Sequence, residues 1–179
     1  MQLVNPLAGV ITSGYDLNRM HPTLHRIVPH YGTDLAGRPR GGTHQVHAAA
    51  DGTVHAVRGN WPSGKAYLAR LTGNYVVLEH AKIGGKTFRT YYGHLDRVDV
   101  KPGQRVKAGD VIGTQGATGD VDGAHLHLEV WLGGYTTDPE PFFAGYGVLL
   151  GSGPTTLPES GTAGLTNSKR CTRKYAMPG

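Results

Sequence analysis

Apolar residues in this chain come in short runs, and Gly, Asn or Asp separates one run from the next. Val76-Val77-Leu78-Glu79-His80 and Leu126-His127-Leu128-Glu129-Val130-Trp131 are rich in β-formers. Gly116-Ala117-Thr118-Gly119-Asp120, just before the second run, is a turn-rich loop. Strand-sized runs punctuated by glycine turns predict antiparallel strands. Long helical periodicity is absent, so helices are expected to be few or short. The expected fold class is mainly β, an antiparallel β-sheet or sandwich.

This pattern continues from residue 1 to 146 and predicts one domain there. After Tyr146 the composition shifts. Gly151-Ser152-Gly153-Pro154-Thr155-Thr156, continuing to Gly164, reads as a flexible linker, and 167–174 forms a small basic end. Residues 147–179 are therefore expected to be a linker-like tail. No internal repeat is visible. At 179 residues the chain is long enough for one domain with a real core. Its 28 glycines, 11 prolines and 17% charged residues suit a β-rich fold with many tight turns.

Histidine changes the picture. His30-Tyr31-Gly32-Thr33-Asp34 offers one imidazole and one carboxylate, and His125-Leu126-His127 offers two more imidazoles. Zinc takes imidazole nitrogen and carboxylate oxygen, and a catalytic zinc uses three protein ligands and leaves one position for water. Residues two apart on a strand share a face. One strand could therefore aim His125 and His127 into a single cleft, one as a ligand and the other as an acid/base or oxyanion partner. His21 with His25, and His44 with His47, read as incidental pairs among the ten histidines. Nothing resembles the helical His-Glu-x-x-His arrangement of the commonest zinc proteases.

With these motifs in hand, the chain resembles the lysostaphin/LytM-type zinc endopeptidases, which cleave stem peptides or cross-bridges of bacterial peptidoglycan. The likeness begins at Thr12-Ser13-Gly14-Tyr15 and Arg19-Met20-His21-Pro22, and takes in the His30 to Asp34 motif. It continues through Val46-His47-Ala48-Ala49-Ala50-Asp51-Gly52, Asn74-Tyr75-Val76-Val77, Tyr91-Tyr92-Gly93-His94 and 100–113, and closes with 119–129 and Asp138-Pro139. The resemblance implies that His30, Asp34 and His127 bind Zn2+ in a groove, with His125 and His94 as catalytic histidines. All five positions carry the expected residue, which opposes a non-catalytic wall-binding or amidase-activating module on the same scaffold. His80 and Glu129 are candidates for orienting a ligand imidazole, with His80 weighted toward a structural role. Tyr31, Tyr91 and Tyr92 flank the motifs and could contribute a donor, but are expected to pack the walls. Residues 37–44 look slightly long for the family and are expected to form a loop beside the cleft.

The net charge of +5 and pI near 9.4 favour polyanions. No specific nucleic-acid motif appears, so peptidoglycan is the expected partner and a basic nucleic-acid-binding β domain the remote rival. Cys171 is the only cysteine, so no internal disulfide is available. No stretch is long enough to span a membrane. The first residues lack the basic start and apolar run of a secretory signal. The expectation from this is a bacteriophage lysin, acting from the infected host cytoplasm on the wall or carried on the virion; an excised domain of a secreted protein is the alternative. The oligomeric state is not legible.

Two weaker echoes add little. Residues 59–66 fit Gly-x4-Gly-Lys, but Ala66 stands where a phosphate loop needs Ser or Thr. Residues 100–113 resemble the hairpins of biotinyl and lipoyl carriers without their lysine motif, and so speak for compact β-hairpins.

Overall fold

The computed structural model describes residues 1–20, 25–37, 44–60 and 73–151. Most of the expected 37–44 loop and of the 59–66 echo lie outside the described residues. So do His21, Cys171 and the linker and basic end from residue 152 onward.

The described residues form β1 (Gly9–Ser13), β2 (Thr33–Gly37), β3 (Gln45–His47), β4 (Gly52–Arg58) and β5 (Asn74–Ile83). These are followed by β6 (Lys86–Val98), β7 (Arg105–Val106), β8 (Val111–Gln115), β9 (Leu126–Leu132), β10 (Tyr135–Thr137) and a single helix, α1 (Pro139–Ala144). The strands join one branched ten-stranded sheet in the order β1-β2-β9-β6-β5-β4-β7, with β10 on β9, β8 on β6 and β3 on β8. Every pairing between named strands is antiparallel. The mainly-β, antiparallel expectation therefore holds, and so does the expectation of few or short helices. The helix is started by Asp138, whose carboxylate accepts the Glu140 N–H at 3.1 Å, with Pro139 in its first turn.

Strand alternation sorts the side chains onto two faces. Leu126, Leu128 and Val130 of β9, Val76 and Leu78 of β5, and Phe88 and Tyr92 of β6 all enter the main core. Burying each large apolar side chain contributes about 1.5–3 kcal/mol. Phe142, Phe143, Val148 and Leu150 belong to the same core. The intervening positions point the other way. Tyr75, Val77, Tyr91 and Trp131 form a second, smaller cluster on that reverse face, and the interleaved polar residues of β9, His127 and Glu129, share it.

The spine of the sheet is β6. It pairs with β9 from Phe88 to Gly93, then with β8 from Leu95 to Val98. The change of partner falls at His94. On the other flank Asn74 pairs with Leu95 and Val76 with Tyr92, so Gly93 and His94 together face Tyr75 alone. This is a β-bulge, a device that re-aims a side chain. His94 takes φ 62°, a left-handed conformation, which costs a non-glycine residue on the order of 1–3 kcal/mol.

Candidate active site

Three strands set the first row of the site. Asp34 of β2 pairs directly with His127 of β9, and His127 pairs directly with Gly93 of β6. Directly opposed residues share a face of the sheet, so Asp34 and His127 meet. His30 precedes β2 and is anchored by two backbone hydrogen bonds with Asp16, of 3.0 and 2.7 Å. Its Nδ1–H donates to the Gly14 carbonyl at 2.6 Å, which leaves Nε2 as a lone pair turned inward. That Nε2 lies 3.0 Å from Asp34 Oδ1 and 3.1 Å from His127 Nδ1. His127 Nδ1 lies 2.8 Å from Asp34 Oδ1.

His127 presents Nδ1 because its other nitrogen is taken. Nε2–H donates to Glu129 Oε1 at 3.0 Å, and Glu129 Oε2 accepts the Trp131 indole N–H at 2.6 Å. One strand face thus supplies ligand, orienting carboxylate and anchor at alternate positions. Gly32 completes the fit: a Cβ there would fall on the Leu128 carbonyl and 2.8 Å from His127 Cε1. Only a residue without a side chain lets this turn pass so close to the ligand ring.

The donor set suits zinc. Donor atoms about 2 Å from one ion are roughly 3.3 Å apart in a tetrahedral arrangement, close to the separations seen. Burial alone would raise the Asp34 carboxyl, yet its close interactions with the His127 and His30 imidazoles outweigh it and hold the group well below the usual carboxylate range. Burial would likewise lower His127, but the Asp34 and Glu129 carboxylates push its imidazole up to about 9. The raised His127 reports the negative charge that Asp34 and Glu129 bring to this corner. His30, Asp34 and His127 are buried and are the residues that could hold the metal.

Two further imidazoles flank this corner. The His94 ring lies 4.7 Å from that of His125 and 5.7 Å from that of His127, centroid to centroid. His94 Nδ1–H donates to the Thr118 carbonyl at 2.9 Å, and His125 Nδ1–H to the Gly123 carbonyl at 2.9 Å. Each ring therefore keeps Nε2 for the cleft, and His125 Nε2 is 3.7 Å from Asp34 Oδ1. Burial, helped by the neighbouring His127 and His125, pushes His94 down to about 3, and burial also lowers His125. Both shifts favour the neutral ring.

All five expected histidine and aspartate positions converge. Glu129 touches a ligand imidazole as expected of an orienting group, whereas His80 touches none. His80 is bound instead to the Asp51 carbonyl at 2.9 Å and Thr90 Oγ1 at 2.7 Å. Tyr91 stands on the site face, 6.4 Å edge-on from the His127 ring. Tyr92 is buried in the core, where its hydroxyl accepts the Ala49 N–H at 2.9 Å. The sequence reading missed Thr118, Asn74 and Gly73, which surround His94. Asn74 entered the sequence reading only as the first residue of a segment that carries the likeness, and Thr118 only as part of the turn-rich loop at 116–120.

A His/Asp/His donor set on an antiparallel sheet, with two further imidazoles beside it, fits a zinc centre. Comparison with known proteins supplies the class. Residues 28–139 match Peptidase family M23. Peptidoglycan DD-endopeptidase ShyB of Vibrio cholerae serotype O1 is 43% identical over 120 residues, covering 67% of this chain and 24% of ShyB. The chain thus spans about a quarter of the length of that relative. The solved catalytic domain of the antimicrobial peptidase lysostaphin from Staphylococcus simulans superposes with a TM-score of 0.57 at 27% identity, over 75% of this chain and 91% of that one. A mutant catalytic domain of the prophage-encoded M23 protein EnpA from Enterococcus faecalis gives a TM-score of 0.52 at 28% identity, over 73% and 88%. The chain belongs to peptidase family M23.

Proposed function

We propose that this protein is a zinc-dependent endopeptidase that hydrolyses peptide bonds in the stem or cross-bridge of bacterial peptidoglycan. The observation that carries the reading is the convergence of three metal donors with two further imidazoles, the His94 ring 5.7 Å from that of His127 and His125 Nε2 3.7 Å from Asp34 Oδ1. A non-catalytic wall-binding module has no use for the second pair. The substrate class is supported by the likeness to ShyB, and the sufficiency of one domain by the length of the lysostaphin catalytic domain.

His30, Asp34 and His127 would hold the zinc, which would supply Lewis acidity to the peptide carbonyl and to the attacking water. The protein's own part is proton handling. His94 and His125 each spend Nδ1–H on a backbone carbonyl and present an acceptor at Nε2. One takes a proton from the attacking water and, as an imidazolium, returns it to the amine nitrogen as the C–N bond breaks. The other lines the same corner beside the developing oxyanion. Glu129 keeps the His127 ring turned so that Nδ1 points inward throughout.

The finer form of the proposal is a phage-borne lysin that meets the wall from the infected cytoplasm or from the virion. The likeness to a prophage-encoded M23 protein supports it. Residues 1–146 would be the catalytic unit and 147–179 a linker with a basic end. The test is mass spectrometry of fragments released from purified sacculi, with zinc-loaded protein and a chelated control. Zinc-dependent release of new peptide amines is the expected result, and the fragment masses identify the bond. A zinc-loaded protein that binds sacculi from several wall types and releases nothing is a binding module.

A further inference from the structure

Asn74 and Thr118 lie outside the His30/Asp34/His127 donor set, yet they converge on the bulge that carries His94. His94 is one of two non-glycine residues with positive φ among the described residues. Four hydrogen bonds close around it. The Thr118 carbonyl accepts the His94 Nδ1–H at 2.9 Å. Thr118 Oγ1 donates to the Leu95 carbonyl at 2.8 Å and accepts the Asn74 N–H at 2.9 Å. Asn74 Nδ2–H donates to the same Leu95 carbonyl at 2.9 Å. Thr118 is fully buried and Asn74 almost so. Gly73, at φ 57°, lies so close that a Cβ would collide with the Thr118 carbonyl and hydroxyl.

The geometry matters because β6 changes partner here. Strand pairing fixes the ring row up to Gly93 and resumes at Leu95. His94 itself is held by neither ladder. Its left-handed backbone and ring orientation therefore need support from outside the sheet, and the 116–120 loop and the start of β5 provide it. The Thr118 carbonyl also sets the tautomer: a proton on Nδ1 leaves Nε2 as acceptor.

We propose that Asn74 and Thr118 are positioning residues for His94, acting as a clasp that fixes its bulged backbone and its Nδ1–H tautomer. The proposal rests on the reading of His94 as a proton-transfer group. The hydroxyl of Thr118 joins the two loops, and its carbonyl faces the ring. Removing the hydroxyl while keeping the volume should loosen the ring without touching the metal corner.

The experiment compares Thr118→Val and Thr118→Ser with wild type and His94→Ala, all zinc-loaded, on a soluble cross-linked muropeptide. Zinc affinity is read by chelator competition, and the His94 tautomer by long-range proton–nitrogen NMR. Thr118→Val is expected to lower kcat about tenfold to a hundredfold, with KM and zinc affinity unchanged and the tautomer mixed. Thr118→Ser restores wild-type kcat. Full kcat with an unchanged tautomer in Thr118→Val overturns the clasp, and so does a loss in Thr118→Ser as deep as in Thr118→Val. Should Thr118→Val fail to fold, the wild-type spectrum decides: Nδ1–H is expected, and Nε2–H overturns the proposal. Full turnover in His94→Ala would instead remove the functional reading, while the tautomer result still judges the clasp.

Discussion

Among the described residues, the histidines of the cleft, buried except for the half-buried His125, and the buried His80 of the sheet behind are treated differently. At the cleft, His30, His94, His125 and His127 each give one ring nitrogen to a fixed partner and turn the other toward a shared space. In the sheet behind, His80 is just as buried, yet both nitrogens are bonded within the scaffold. Its Nδ1 meets the Asp51 carbonyl, and a hydrogen-bonded chain runs from its Nε2 through Thr90 Oγ1 and the Tyr92 hydroxyl to the Ala49 N–H. Burial therefore does not mark a working histidine. An engaged nitrogen opposite a free or shared one does, because the first fixes the ring and the second is left for chemistry.

Deletions at the cleft should break this comparison most sharply. In His127→Ala, Asp34 and Glu129 lose the ring that both bond. Zinc is expected to be absent by metal analysis and turnover to fall to background. A variant that still bound zinc stoichiometrically would remove His127 from the ligand set. His94→Ala leaves every metal donor in place, so zinc content should be unchanged while kcat drops about 10²–10⁴-fold. Parallel loss of zinc and activity in His94→Ala would place His94 with the ligands instead.

What the sequence made legible follows the same division. His30, Asp34, His125 and His127 were found because they lie close together along the chain and their chemistry is rare. Glu129 was named beside His80 as a candidate to orient a ligand imidazole, and only the structure separates the two. Thr118 and Asn74 were not found, since they act through a carbonyl, a hydroxyl and an amide that any loop offers. The bulge at His94 depends on which strands flank β6, and that is a non-local fact. Tyr91 and Tyr92 were equivalent in sequence, and only the register of β6 sends one to the site face and the other into the core.

Glu129→Gln probes how far the fixed partner of a ligand ring matters. The amide can still accept from one neighbour, but the charge that keeps the proton on His127 Nε2 is gone. Zinc affinity should fall about tenfold to a hundredfold, with kcat at saturating zinc nearly unchanged. Wild-type affinity in a chelator competition would show that the Trp131 anchor and strand pairing orient His127 without the carboxylate.

The smallest effect belongs to His80, and it appears in stability alone. Burial pushes its imidazole down to about 4, against the partial support of the Asp51 carbonyl and the Asp51 and Glu79 charges. An unfolded histidine titrates near about 6.5. Between these values the unfolded chain binds more protons than the folded one, so stability rises with pH. The contribution is complete above about pH 6.5 and is lost as pH falls toward 4, a change of about 3 kcal/mol by linkage. His80→Gln keeps a polar side chain but cannot titrate. It should start less stable at pH 7, and the gap to wild type in denaturant midpoint should close as pH is lowered to 4.5. Zinc affinity and turnover at pH 7 should match wild type. A gap that stays constant with pH would mean that His80 is not held neutral, and a loss of zinc would make it part of the cleft after all.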